Sequence, residues 1–195
     1  MAENLAMARS EFILGGQKSG KSRRAESLAA AWLAAAPAHR AVLIATAQAH
    51  DAEMRERIAR HQRERAERVP GLATHEAPAD LPAAIAAAGG AETLRIVDCL
   101  TLWLTQCLMP PPEYEQKVPP AQYGQALIAP LLKAIQDCPG PIVLVGNEIG
   151  LGVIPLGREV RHFVDALGTL NQSVAAACQR VTLMVAGQPL AVKGQ

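Results

Sequence analysis

EFILGGQKSGKS, residues 11–22, carries the spacing G-x-x-x-x-G-K-[ST] between Gly15 and Ser22, the phosphate-binding loop. The apolar residues Phe12, Ile13 and Leu14 stand directly before it, and an alanine-rich helical run, Arg23 to Ala36, follows. Strand, loop and helix N-terminus in that order make an anion site. Backbone N–H groups wrap the phosphates and the helix end adds partial positive charge. Gly15, Gly16, Gln17, Lys18, Ser19 and Gly20 supply the loop. Lys21 is expected to reach the β- and γ-phosphates, and the Ser22 hydroxyl to ligate Mg²⁺. The motif predicts a nucleoside-triphosphate site without saying what becomes of the nucleotide.

Working outward, short apolar runs alternate with helical stretches. The runs are Phe12–Leu14, Ala41–Thr46, Leu94–Asp98, Ile142–Gly146 and Val181–Ala186. Strands separated by helices predict βαβ units, an α/β fold with a mostly parallel central sheet flanked by helices. Gly187-Gln188-Pro189 reads as a turn, and Leu190–Lys193 as a short antiparallel edge strand after it. Residues 110–120 (PPPEYEQKVPP) read as a proline-rich loop. Residues 1–10 read as a disordered lead-in, and 11–195 as a single nucleotide-binding catalytic domain.

A chain of 195 residues is long enough for one domain with a sizeable core. Its net charge is +1, with no extended Lys/Arg block, which argues against a nucleic-acid partner. The four cysteines show no zinc spacing, and a reduced, cytoplasmic setting is the expectation. No signal peptide and no membrane span are expected either.

Ligands of such sheets bind at the carboxyl ends of the strands. The residues to inspect are therefore the loop, Thr46-Ala47-Gln48, Asp98 and Asn147-Glu148. Asp98 closes the run RIVD, where a carboxylate can hold Mg²⁺; it can equally cap the helix that follows. Glu148 can serve as a general base or as a hydrogen-bonding group of its glycine-rich turn. The helix from about Asp51 to Arg68 has a thin apolar face, Met54, Ile58, Ala59 and Ala66. Arg57, His61 and Arg65 are four apart and share one face. Two arginines suit a phosphate chain and disfavour imidazolium, leaving a neutral, nucleophilic ring. On spacing alone, His61 can equally be a solvated residue among the i,i+4 pairs Arg60–Glu64 and Arg63–Glu67. His39 and His50 fall in connections, His75 in a loop or short strand, and His162 on a late helix. The guanine-reading motif Asn-Lys-x-Asp of switch proteins is absent.

Together these stretches resemble one family. GGQKSGKS (Gly15–Ser22), IATAQAHDAEMRERIARH (Ile44–His61), VDCLTLWL (Val97–Leu104), VLVGNEIGLGVIP (Val143–Pro155) and RHFVDALGTLNQ (Arg161–Gln172) occur in this order. They resemble the bifunctional adenosylcobinamide kinase/adenosylcobinamide-phosphate guanylyltransferases of cobalamin biosynthesis. Gln17-Lys18 stands where that family more often has Ala-Arg. The resemblance implies a RecA-like P-loop sheet and a homotrimer. It implies phosphorylation of adenosylcobinamide by ATP or GTP, then transfer of GMP from GTP to give adenosylcobinamide-GDP and pyrophosphate. The transfer passes through a GMP–histidine, and the matching residue is His61. Nucleotide contacts are implied for Thr46, Ala47, Gln48, Gln62, Arg63, Glu64, Glu76 and Asp98. Two other readings stand beside it: a single-activity P-loop small-molecule kinase, and a nucleotide-gated RecA-like assembly protein.

Overall fold

The computed structural model describes residues 7–47, 52–77, 80–109, 120–152 and 155–194, with the backbone alone at 53, 54, 57 and 120–125. Seven strands form one sheet: β1 (Ser10–Gly15), β2 (Arg40–Ala45), β3 (Leu72–Glu76), β4 (Thr93–Asp98), β5 (Ile142–Val145), β6 (Arg180–Val185) and β7 (Gln188–Lys193). Their order is β3-β2-β4-β5-β1-β6-β7. Every pairing is parallel except β6 with β7. This is the α/β, RecA-like class expected, antiparallel edge included.

The helices are α1 (Lys21–Ala35), α2 (Ala52–Arg68), α3 (Leu81–Ala87), α4 (Leu100–Leu108), α5 (Pro120–Asp137) and α6 (Arg158–Ala177). Alternation along the strands sorts the core into two layers. Phe12, Ile44, Val97 and Leu144 point to the face covered by α3, α4, α5 and α6. Their neighbours Ile13, Leu43, Ile96 and Val143 point to the face covered by α1. Strands buried on both faces read as continuous apolar runs, which is why RIVD and IVLV stand out in the sequence.

The structure adjusts several boundaries. Residues 7–10, read as part of the lead-in, belong to the fold. Met7 packs on the α1-side core, the Arg9 N–H bonds the Gln179 side chain, and β1 starts at Ser10. Residues 1–6, and 110–119 of the proline-rich stretch, lie outside the described residues; Pro120 opens α5. Strand β3, which carries His75, pairs only with β2, and all but its first residue are exposed. A one-sided edge strand needs no apolar pattern, so the sequence left His75 open between a loop and a short strand. Gln188 and Pro189 are in β7 rather than in the turn, which consists of Ala186 and Gly187, both at positive φ. Such a two-residue turn matches the twist of a hairpin.

Candidate active site

Parallel strands deliver β1, β2, β4 and β5 with their carboxyl ends at one edge of the sheet. In register, Asp98 lies between Ala45 on β2 and Val145 on β5, and Val145 lies beside Ile13 on β1. Asp98 is thus two strand spacings from the phosphate-loop strand, about 10 Å.

The loop is held by its own backbone. Gly15 has a positive φ, and a Cβ there would fall 2.5 Å from Ser19 Oγ and 2.7 Å from the Met184 carbonyl, so only glycine fits. Ser19 N–H donates to the Gly16 carbonyl at 3.3 Å, and Gly187 N–H of the β6–β7 turn donates to the Ser19 carbonyl at 3.0 Å. Gly20, left-handed, is the N-cap of α1; it offers no side-chain cap, and the first turn holds no acidic residue. The N–H groups of that turn are therefore left for an anion. Lys21 Nζ donates to the Gly16 carbonyl at 2.7 Å. Burial lowers the Lys21 pKa, while Cys99 and Asp98 push it back up.

A cleft of about 810 Å³ opens above the loop, lined among others by Lys21, Ser22, Asp98, His61, Gln62 and Glu64. Gln17, Lys18, Ser19, Gly20 and Ala47 line it too, whereas Arg63 and Glu76 do not. Among the described residues, His61 is the only histidine in this lining. His39 stacks on Trp32, ring centroids 3.6 Å apart, and His75 is exposed on β3; His50 and Gln48 lie outside the described residues.

Several residues take definite local roles. The N-cap of α4 is Cys99, so Asp98 is not the helix cap that the sequence left open. Thr46, fully buried, donates its hydroxyl to the Cys99 carbonyl at 2.8 Å and accepts from the Cys99 N–H at 2.8 Å. It clamps the junction that carries Asp98. Glu148 accepts from Gly150 N–H at 3.0 Å and from Asn171 Nδ2 at 3.3 Å. These are the bonds of a turn-fixing group. Asn147 N–H donates to Thr101 Oγ1 at 2.8 Å, which ties the same loop to α4.

Helix α2 differs from the expectation of a solvated face. Arg65 is buried, 3.7 Å from both Glu26 Oε1 and Asp98 Oδ2. Arg68 pairs with Glu26 at 3.0 Å and with Glu64 at 3.4 Å. The Arg65 charge is thus committed to two carboxylates, and the Arg57 side chain lies outside the described residues. Glu26 is a site-adjacent group that the sequence reading missed. Its only signal is that it is the lone carboxylate of α1, and its partners come from a helix far along the chain.

Among the described residues, no three of His, Cys, Asp and Glu converge as a metal-holding group. The donors expected from the sequence, the Asp98 carboxylate and the Ser22 hydroxyl, both line the cleft. That sparse oxygen set fits Mg²⁺, which keeps waters and takes its other ligands from substrate phosphates. All four cysteines are free, and burial raises every thiol pKa, those of Cys107 and Cys178 to about 11. Protonated thiols are poor nucleophiles, so the cysteines are structural.

Fold and cleft together define a phosphate-loop α/β protein built to take a nucleotide. The chain belongs to the family described as cobinamide kinase / cobinamide phosphate guanyltransferase, which matches residues 11–192. It is 45% identical over 185 residues to the bifunctional adenosylcobalamin biosynthesis protein CobP of Pseudomonas aeruginosa, covering 95% of this chain and 98% of that one. It is also 36% identical over 104 residues to the bifunctional adenosylcobalamin biosynthesis protein CobU of Escherichia coli, covering 50% and 57% of the two chains. The chain is accordingly a bifunctional transferase, a kinase and guanylyltransferase of cobalamin biosynthesis. No helix among the described residues is long and apolar enough to cross a membrane.

Proposed function

We propose that this chain carries out both reactions in the one cleft, with His61 as the group that carries GMP. In the kinase step, the hydroxyl of adenosylcobinamide attacks the γ-phosphorus of ATP or GTP. A new O–P bond forms, the bond to the β-phosphate oxygen breaks, and the nucleoside diphosphate leaves. Lys21 and the N–H groups of the loop neutralise the charge that gathers on the phosphate oxygens. Ser22 and Asp98 would hold Mg²⁺, which supplies further neutralisation of the phosphates when bound.

In the guanylyl step, a neutral His61 nitrogen attacks the α-phosphorus of GTP, an N–P bond forms and pyrophosphate leaves. The phosphate of adenosylcobinamide-phosphate then attacks that phosphorus, the N–P bond breaks, and adenosylcobinamide-GDP departs. Two displacements let the bulky corrinoid enter after pyrophosphate has left. The observation that supports this reading is the presence of His61 in the same cleft lining as Lys21 and Asp98. Thr46, Ala47, Gln48, Gln62, Arg63, Glu64 and Glu76 are proposed to help hold the nucleotide: Ala47, Gln62 and Glu64 from the cleft wall, Thr46 through the backbone it clamps. We also propose a homotrimer in the cytoplasm, in keeping with free thiols.

The test is intact mass after incubation with GTP and Mg²⁺, followed by peptide mapping. One GMP is expected on the peptide holding His61, through a bond labile in acid and stable in base. His61→Ala should lose the adduct and guanylyl transfer while keeping most kinase turnover, because the γ-phosphoryl passes directly to the hydroxyl. A GMP mapped to another residue moves the nucleophile. No adduct in an active kinase leaves the single-activity reading.

A further inference from the structure

Glu26 is a buried carboxylate that none of the phosphate-loop chemistry uses. It lies on α1, outside the cleft lining, on the same rigid helix as Lys21 and Ser22. Five residues of helix place it about 7.5 Å along the axis from Lys21. Its two oxygens face two guanidinium groups of α2. Arg68 Nε is 3.0 Å away, and Arg65 Nε 3.7 Å away. The far side of the Arg65 guanidinium reaches Asp98 Oδ2 at 3.7 Å.

Among the described residues, helix α2 has little else to fix its height above the sheet. Its sequence, AEMRERIARHQRERAER, is charged along most of its length, and Ile58 and Ala59 are only half-buried. Val69, just past its end, enters the α1-side core and pins that end of the helix. From there the register of α2 against the phosphate loop passes through the Glu26 ion pairs. Arg65 is one turn from His61, so a helix held at Arg65 is held at His61 as well. Glu26 and Arg65 are both buried, with side-chain exposures of 6% and 9%. A charge so placed needs its partner, because breaking a buried pair leaves an uncompensated ion.

We infer that Glu26 is a positioning residue for guanylyl transfer: through Arg65 and Arg68 it sets α2, and with it His61, over the phosphate loop. It touches no substrate. The inference rests on the reading of His61 as the nucleophile. The consequence is a split between the two activities. The kinase step rests on Lys21 and the N–H groups of the loop, none of them on α2. Asp98 meets α2 at Arg65, 3.7 Å away, but its own place is set by β4 and by the Thr46 clamp. Adduct formation needs an imidazole nitrogen in line with the α-phosphorus, and a small misplacement there is costly.

The experiment compares wild type, Glu26→Gln and Glu26→Asp in the full chain. Three quantities are read: the rate of GMP adduct formation by intact mass, kinase turnover at saturating Mg²⁺, and hydrogen exchange of the α2 amides without nucleotide. Glu26→Gln is expected to speed exchange in α2, to slow the adduct by roughly tenfold or more, and to keep kinase turnover close to wild type. Glu26→Asp, which retains the charge on a shorter arm, should recover part of the adduct rate. It also carries the test if Glu26→Gln fails to fold. Unchanged α2 exchange and adduct rate in Glu26→Gln would overturn the inference. Equal losses in both activities would overturn it too, making Glu26 a general stabilising carboxylate. A wild-type adduct on a residue outside α2, with α2 still loosened in Glu26→Gln, would overturn the His61 reading and leave the anchoring of α2 intact.

Discussion

Lys21 and Asp98 both line the cleft, and their substitution separates two kinds of function. The Lys21 ammonium is nearly buried, with Gly16 as its carbonyl partner, and burial lowers its pKa. An incoming phosphate chain replaces that lost hydration with negative charge. Lys21→Ala is expected to cut phosphoryl transfer by about 100-fold or more and to weaken nucleotide binding. Steady-state turnover and nucleotide titration check this, and near wild-type turnover would mean that the loop is not the phosphate site. Asp98 lies at a strand end whose following helix is capped by Cys99 instead. Asp98→Asn should therefore reduce activity strongly, with partial rescue by Mn²⁺, while the melting temperature moves by only about 3 °C or less. A large loss of stability with full activity would return Asp98 to a structural role.

At the scale of elements, the site is a set of strand ends tied together by side chains from elsewhere. Thr46 on the β2 exit holds the β4–α4 junction through both backbone groups of Cys99. Thr46→Val keeps the shape and removes both bonds, taking from the buried Cys99 N–H its Thr46 acceptor, while the Cys99 carbonyl keeps the Trp103 N–H at 3.1 Å. The expected cost is about 1–3 kcal/mol, read from the urea midpoint, together with weaker nucleotide binding as Asp98 loses its support. A variant as stable as wild type would show that the clamp is dispensable. Arg95, fully buried on β4, works similarly for α3. It donates to the carbonyls of Ile85 and Thr93 at 3.0 and 2.9 Å, and to that of Gly89. Those of Ile85 and Gly89 lie at the end of α3, where carbonyls lack partners within the helix, and that of Thr93 lies on β4 itself.

For the whole molecule, the proposed trimer predicts a light-scattering mass of about three times the 20.6 kDa chain. A monomeric, fully active species would overturn it. The alkaline limit of stability follows from the thiols. Cys107 and Cys178 have folded-state pKa values raised by burial to about 11, above the ordinary 9.0. In that interval the folded chain holds protons that the unfolded chain has released. Their stabilising contribution is therefore complete below about pH 9 and is lost as the pH rises toward 11. Melting temperatures measured from pH 8 to 11 should fall, and Cys178→Ser should shift that curve. A flat profile would place the thiols in ordinary solvation.

The sequence alone determined whatever depends on short range and on period. Gly15 to Ser22 is legible because a backbone that cradles phosphate tolerates few alternatives at its glycines. RIVD and IVLV are legible because strands buried on both faces must be continuously apolar. His61 and Asp98 were reachable because motif order survives in a linear chain. Edge strand β3 was not legible, since a strand paired on one side and exposed carries no apolar alternation. Nor could sequence place the cap of α4 at Cys99 or find the partners of Glu148, because both depend on which groups come together after folding. The ion pairs of Glu26 with Arg65 and Arg68 are the clearest case. Glu26 and Arg65 are 39 positions apart, and only the folding of α2 against the phosphate-loop helix brings their charges together, where burial makes each depend on the other.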